Sequence, residues 1–537
     1  MERLSLRQAL SVLSKSSSYA VSTDTELSDS ELDSLKKCLY VTTDIEEAFA
    51  NKLCDLAPGS ILFLCGSSGD GKSELLTKYK KKHAHYVDFH LDATHSFGTK
   101  TSAIQTLDEL FTKSKKSGRT LVVGVNVGML GNYEKEGREE HSDIKTAIGQ
   151  FLKINANIED EYCSFLSFES FPKFVLENAG VRAKFFQSIL NRVVRDDYSN
   201  KFNDYFKAES GSKKEAVLIS NFLLLRDRLI QKKVVELLLL ARIKRDQFIT
   251  ARMLLDFIYC ILTGPGYLFD NLFNGGDNEL LAVISEFDPA IIRDKTIDEF
   301  ILHHNLQLHE SEFHSCMQEI SKKYEFKNSV SSEEASSLVR LFYILKYTQL
   351  KTSYLGNFND SLDDEGLELY KELWAAHKEF DGSQASKKGL KKYYENTIKP
   401  AIRLYINRNQ PGLPKNEYFL SSHGKNFLST EIDIAIDYDA IEKDECDDIS
   451  HFNLHLKIAG EPLKAIPVSV NLLTLMMDIS LGYRPNKHDK NSVVLLEDLA
   501  CHIVSLGISS PILKLNAGEK SIQIKNTSDG DIEVSGL

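Results

Sequence analysis

The sequence predicts a doubly wound α/β core, followed by a helical lid, a largely helical middle region and a C-terminal α+β module. Three observations carry that prediction. A glycine-rich loop, Gly66-Ser67-Ser68-Gly69-Asp70-Gly71-Lys72-Ser73, stands between an apolar run and a helical pattern. Strand-like and helix-like stretches alternate on either side of it, as they do in parallel α/β sheets. From about residue 170 to about 408 the periodicity is helical, and period-2 alternation returns only beyond Asn409–Pro414.

Ile61–Cys65 is wholly apolar and bounded by Gly59-Ser60 and Gly66, which reads as a buried parallel strand. Ser73–Tyr79 reads as a helix, with Lys78, Lys80, Lys81 and Lys82 near its end. Cations there complement the negative end of the helix dipole. His85–Leu91 reads as a strand ending at Asp92. Ala103, Ile104, Leu107, Leu110 and Phe111 form one helical stripe. Leu121–Val127 reads as a strand, Ile144–Leu152 as a helix and Cys163–Phe168 as a further strand.

Phe185–Val194, Ile219–Ala241 and Phe248–Leu262 follow with helical period, the last ended by Thr263-Gly264-Pro265-Gly266. Near the C-terminus, Glu431–Asp437 alternates with period 2. Phe452–Ile458 and Ser521–Ile524 read as strands and Val470–Leu481 as a helix. The expected organisation is an N-terminal arm (1–45), a phosphate-loop core (46–210), a helical lid (211–275), a helical region (276–410) and the α+β module (411–537). The arm opens with a short helical pattern (Leu4, Leu6, Ala9, Leu10, Leu13). Its Ser-, Thr- and acid-rich continuation from Ser14 to Asp33 is expected to be partly mobile.

At 537 residues the chain is long enough for about three or four domains. Its 42% hydrophobic and 26% charged content is that of a soluble globular protein. A net charge of −12 means that the surface as a whole does not attract nucleic acid, so DNA contact needs a local patch or a partner protein. The eight cysteines form no C-x-x-C pair, which argues against a zinc site or disulfide framework and for a reduced, cytoplasmic setting. No signal peptide is expected at Met1-Glu2-Arg3. The apolar stretches Val234–Ala241 and Met253–Leu262 are shorter than the roughly 20 residues of a membrane span and contain Glu236 and Asp256, so no membrane partner is expected.

Gly66–Ser73 matches the phosphate-binding pattern G-x-x-x-x-G-K-[ST] at every fixed position. Its glycines allow a tight turn that aims backbone N–H groups at a phosphate. Lys72 reaches the β- and γ-phosphates, and Ser73 offers a hydroxyl to Mg²⁺. Hydrolysis also needs an acid for the metal and a group to place the water. Two candidates stay open. Asp92 follows the strand Tyr86–Leu91, where a carboxylate faces a ligand in open α/β sheets; as an alternative it is a turn or helix cap. Asp108-Glu109 is the residue pair in which a Walker B motif ends, but its flank is helical, and an exposed helix face is the alternative. Asn126, ending the third strand, is placed to contact the γ-phosphate or to serve as a turn residue. His90, Asp92 and His95 are spaced loosely for a metal.

Leu121–Asn126 resembles the sensor-1 strand of AAA+ and origin-recognition-type ATPases. Cys163–Phe168 with Glu169-Ser170-Phe171-Pro172 resembles their fifth strand, and Thr250–Asp256 their sensor-2 helix. The resemblance implies an AAA+-like P-loop NTPase core, with Arg252 as a nucleotide-sensing arginine and Arg138 as a finger acting on a neighbouring subunit of a homo-oligomer. For both, a surface arginine is the plain alternative. Four segments together resemble the DptF family: Leu10–Val21, Cys65–Ser73, Leu91–Phe97 and Gly124–Tyr133. These are ATPase subunits of the bacterial DNA phosphorothioation-dependent restriction system. The likeness implies ATP and Mg²⁺ as ligands, other subunits of the complex as partners, and action on unmodified DNA in anti-phage defence. The chain departs from generic AAA+ proteins in lacking a clear Walker B strand.

Lys387, Lys388, Lys391, Lys392, Lys399, Arg403 and Arg408 interleave with Tyr393, Tyr394 and Tyr405, a pattern that suits a phosphate backbone with base stacking or a solvated helix face. Asp433–Asp448 is acidic, which suits a charged surface, a basic partner or a metal-dependent nuclease site. Two further functions are therefore kept beside ATP hydrolysis: a nucleotide-gated signalling or scaffold protein with negligible turnover, and a nuclease with its own C-terminal cleavage site.

Overall fold

The computed structural model describes residues 4–17, 31–93, 102–154, 162–177, 180–211, 214–308, 310–326, 333–446, 448–486, 489–518, 520–526 and 531–536. The chain forms two compact units. One comprises residues 1–175, 183–241 and 247–362, the other 176–182, 242–246 and 363–537.

The first unit holds a parallel sheet of β1 (Ile61–Cys65), β2 (Val87–His90), β3 (Thr120–Val125) and β4 (Cys163–Ser167) in the order β2-β3-β1-β4. Every residue of β1, β3 and β4 is buried, as expected of strands covered on both faces. Side chains alternate between two cores. Leu62, Leu64 and Val122 meet Ile45, Phe49 and Leu53 of α1 (Asp44–Asp55) and Leu75 and Leu76 of α2 (Lys72–His83). Phe63, Val123 and Phe165 face α3 (Ala103–Ser117), α4 (Val127–Glu136) and α5 (Ser142–Ile154) through Phe111, Leu130, Tyr133, Ile148 and Phe151. Phe165 is stacked between Phe63 and Phe151, at 4.8 Å from each.

The helix leaving β1 and the helix leaving β3 thus lie on opposite faces of the sheet. Their connections diverge at the carboxyl ends of two adjacent strands, which opens a crevice there.

The N-terminal segment is docked where it is described. Leu6, Ala9, Leu10, Val12 and Leu13 are buried. Arg7 Nη1 donates to the Thr263 carbonyl at 2.7 Å, and Lys15 N–H to Asp256 Oδ1 at 2.7 Å, both on α6 (Ala251–Thr263). Much of the stretch expected to be mobile, residues 18–30, lies outside the described residues. The single helix expected over Ile219–Ala241 is two, Ala216–Arg226 and Arg228–Lys244. Asp227 breaks it by accepting Leu229 N–H at 3.0 Å and pairing with Lys323 at 2.9 Å.

The second unit contains an antiparallel sheet of β5 (Glu417–His423), β6 (Asn426–Glu431), β7 (Ile512–Ala517), β8 (Lys520–Asn526) and β9 (Ile532–Ser535), in the order β9-β8-β7-β6-β5. The alternation at Glu431–Asp437 yields only the short strand Ile434–Ile436. Phe452–Ile458 splits into Phe452–Leu454 and Leu456–Ile458, which pair in different sheets. Residues 363–410 cluster with residues 411–537 in this unit. The reason is packing: Tyr370, Leu373, Tyr394 and Ile402 are buried in the same unit as Leu472, Leu473 and Met476 of α7 (Val470–Ser480).

Among the described residues, one helix, α8 (Lys490–Ile508), is long and apolar enough by length and composition to cross a membrane. It lays Leu496, Leu499 and Ile503 inward, and a Cβ at its Gly507 would come within 2.8 Å of Ile432 Cδ1. Its Glu497 pairs with Arg408 at 3.0 Å.

Candidate nucleotide site

Gly66–Ser73 occupies the crevice between β1 and β3. The loop leaves β1 with Gly66 N–H donating to the Val125 carbonyl at 3.2 Å. Gly66 admits no side chain, because a Cβ would lie 2.9 Å from Phe168 Cδ2 and 3.1 Å from Asp70 Oδ2. Gly69 (φ +85°) and Gly71 (φ +101°) adopt the left-handed conformation that favours glycine. Gly71 is the N-cap of α2, so Lys72 and Ser73 lie in the first turn, where unpaired N–H groups and the positive end of the helix dipole converge. Such a terminus suits an anion.

Lys72 Nζ donates to the carbonyls of Gly66 and Ser67, each at 2.7 Å. Burial pushes its pKa down, while the carboxylates of Asp70 and Asp92 push it up. Asp92 therefore acts on the loop lysine from the end of β2, held there by Ala93 N–H donating to the Gly124 carbonyl at 2.9 Å. Asn126, at the end of β3, accepts Met129 N–H through Oδ1 at 2.6 Å and caps α4.

Arg252 also reaches this loop. Thr250 caps α6, and the Arg252 backbone N–H donates to the Gly69 carbonyl at 3.2 Å. A Cβ at Gly69 would stand 3.2 Å from both Arg252 Cβ and Thr250 Oγ1. The fold thus gathers Lys72, Ser73, Asp92, Asn126 and the Arg252 backbone around one loop.

Asp108 and Glu109 are placed differently. They lie on α3, and Asp108 is buried, which corrects the exposed-face reading for that residue; Glu109 is exposed. Asp108 Oδ1 accepts Tyr133 O–H at 2.7 Å and Arg138 N–H at 3.1 Å. Its carboxylate ties α3 to α4, and Arg138 Nε closes on it at 3.5 Å. His95 lies outside the described residues, and among the described residues no group of three or more His, Cys, Asp or Glu side chains is arranged to hold a metal.

Sequence reasoning missed Lys173. Its Nζ meets Asp70 Oδ1 at 2.9 Å, while Asp70 Oδ2 accepts Ser67 N–H at 2.8 Å. The only local signal is Asp70 itself, an acid inside a loop that matches a phosphate-binding pattern.

In the second unit two of the three tyrosines of the basic stretch are closed to base stacking. Tyr394 and Tyr405 are buried, and Tyr393 donates to Glu372 Oε2 at 2.8 Å. Lys388, Lys391 and Lys392 are exposed. Of the C-terminal acids, Asp437 and Asp439 share Lys457, at 2.8 and 3.2 Å, and Asp444 meets His455 at 3.0 Å.

No family model matches the chain, and no curated protein or solved structure matches it.

Proposed function

We propose that this chain is a P-loop NTPase with an AAA+-like core that binds and hydrolyses ATP with Mg²⁺ at Gly66–Ser73. One observation carries the reading: a glycine loop with two left-handed glycines opens a helix at the switch point of a parallel sheet and places Lys72 in that helix's first turn. In this reading the N–H groups of Gly69 and Gly71–Ser73 and the Lys72 ammonium hold the phosphates. Ser73 and Asp92 would hold Mg²⁺, which would supply positive charge beside the phosphates. Asn126 and Arg252 are the residues that read the γ-phosphate. The fit rests on the helix N-terminus capped by Gly71, a donor set suited to polyphosphate, beside a carboxylate suited to the metal.

The segments resembling DptF extend the proposal. The chain serves as the ATPase subunit of a bacterial DNA phosphorothioation-dependent restriction complex in the cytoplasm. It couples hydrolysis to action on unmodified DNA, which it reaches through partner subunits, with the exposed Lys388, Lys391 and Lys392 as a local basic contribution. A second reading, a nucleotide-gated scaffold with little turnover, is favoured by one observation: Lys72 is hydrogen-bonded to the loop's own carbonyls and must be released to meet a phosphate.

The test is ATP binding and turnover by the full chain, alone and with plain or phosphorothioated DNA and partner subunits. Hydrolysis that Lys72→Ala abolishes supports the ATPase. Binding without turnover under every condition supports the scaffold, and unchanged turnover in Lys72→Ala sinks the proposal.

A further inference from the structure

Asp70 is an anion built into a loop proposed to bind anions. Its side chain is fully buried. One oxygen accepts Ser67 N–H at 2.8 Å and so shapes the first turn of the loop. That oxygen also lies against Gly66, 3.1 Å from where a Cβ would stand. The carboxylate is therefore a structural brace of the loop as well as a fixed negative charge beside it. A polyphosphate entering the loop meets that charge at short range, and in a buried setting water screens it poorly.

Lys173 answers it. The residue follows Pro172 just after β4, and its ammonium contacts Asp70 Oδ1 at 2.9 Å with only 16% of its side chain exposed. The Phe248 ring, shortly before α6, lies 5.8 Å from the same ammonium and covers it. The next contact along the loop is the Arg252 N–H on Gly69.

We propose that Lys173 is a positioning residue of the nucleotide site. It acts as counter-ion to Asp70, letting the loop keep its carboxylate brace and still accept a nucleoside triphosphate. The inference rests on the phosphate-loop reading of Gly66–Ser73 and assigns to that site a residue outside its motif. Without Lys173, the buried Asp70 carboxylate loses its ion-pair contact and repels the phosphates. With Asp70 also made neutral, that repulsion is gone and Lys173 is no longer needed for charge.

The experiment is a charge-deletion cycle on the full chain, with Mg²⁺-ATP binding measured by calorimetry and folding followed by thermal unfolding. The variants are Lys173→Met, Lys173→Arg, Asp70→Asn, the double variant Asp70→Asn/Lys173→Met, and Lys72→Ala as the reference for a broken site. Lys173→Met is expected to weaken ATP binding by about tenfold or more, a buried unpaired charge at a few ångströms being worth at least that. Lys173→Arg is expected to retain most of the affinity, and the double variant to return to within about threefold of Asp70→Asn, since the coupling lies between the two charges. A lysine that merely holds the fold would not be rescued by deleting its partner's charge.

If Lys173→Met folds and binds like the wild type, or if the double variant binds no better than Lys173→Met, the proposal is overturned while the loop stands. If the wild type binds no better than Lys72→Ala, the phosphate-loop reading itself falls and takes this assignment with it.

Discussion

The backbone N–H of Arg252 donates to the carbonyl of Gly69 at 3.2 Å, so the start of α6 is seated on the apex of the glycine-rich loop. The contact is tight because Gly69 has no side chain. A methyl there would press on Arg252 Cβ and Thr250 Oγ1, and φ at that residue is +85°.

Gly69→Ala is accordingly expected to cost on the order of 1–3 kcal/mol, from the left-handed backbone and the crowding together. Because the strain falls on the loop apex, nucleotide affinity should drop along with stability. Thermal unfolding in the presence and absence of Mg²⁺-ATP separates the two: the stabilisation that ATP confers on the wild type should shrink in the variant. A variant that gains as much from ATP as the wild type would show that the α6 contact does not shape the site.

The two carboxylate candidates should part company on substitution. Asp92→Asn removes a charge that acts on Lys72 from the end of β2, and the expected result is a folded protein that has lost hydrolysis by about a hundredfold or more. Asp108→Ala leaves the buried Tyr133 hydroxyl and the Arg138 N–H without their acceptor, which should destabilise the first unit by about 1–3 kcal/mol. Among molecules that remain folded, its turnover should be close to that of the wild type. Urea unfolding and ATPase rates on both variants check this, and the reverse pattern would move the catalytic acid to α3.

How much of this was legible beforehand depended on whether the decisive partner was local. The loop and β1 declare themselves because Ile61–Cys65, the glycines and Lys72 are consecutive and each constrains its neighbour. The Asp70–Lys173 pair was invisible because its members are 103 residues apart and neither belongs to a pattern. Helix α4 was overlooked for a local reason: Gly128 and Gly131 weaken its helical signal. Its start signal, Asn126, caps the helix through Oδ1, beside the phosphate contact proposed for the same side chain. Tyr394 and Tyr405 interleave with lysines as a stacking platform would, but burial depends on how residues 384–406 pack, which spacing along the chain does not encode. Arg252 was found through a resemblance, and it is the backbone, with the side chain beside it, that meets the loop.

Arg7 offers a test of the N-terminal segment. Its guanidinium bridges Glu215 at 3.1 Å and the Thr263 carbonyl at the end of α6. With the Arg7 side chain partly exposed, Arg7→Ala should cost only about 1 kcal/mol overall. It should nevertheless raise hydrogen exchange selectively in residues 4–13 and at the C-terminal turn of α6. Uniform exchange across the chain would mean that the segment does not latch that helix.

His377 predicts the acid response of the second unit. Its ring is buried, stacked on Phe452 at 4.5 Å between centroids, with Nε2 3.2 Å from the Tyr394 hydroxyl. Burial holds its pKa down to about 3; the neighbouring His455 pushes the same way and Asp444 opposes it. In the unfolded chain the same imidazole titrates near 6.5. Between these two values the unfolded state binds a proton that the folded state refuses. Stability is therefore fully present above about pH 6.5 and falls as pH drops, by up to about 1.4 kcal/mol per pH unit. His377→Gln keeps a hydrogen-bonding side chain and removes the titration. Between pH 7 and pH 5 the wild type should thus lose roughly 2 kcal/mol more than the variant. Urea unfolding at the two pH values, followed by the fluorescence of Trp374, whose Nε1 donates to the Asp448 carbonyl in the same unit, measures the difference. Parallel losses in the two proteins would show that His377 is not the acid-sensitive group.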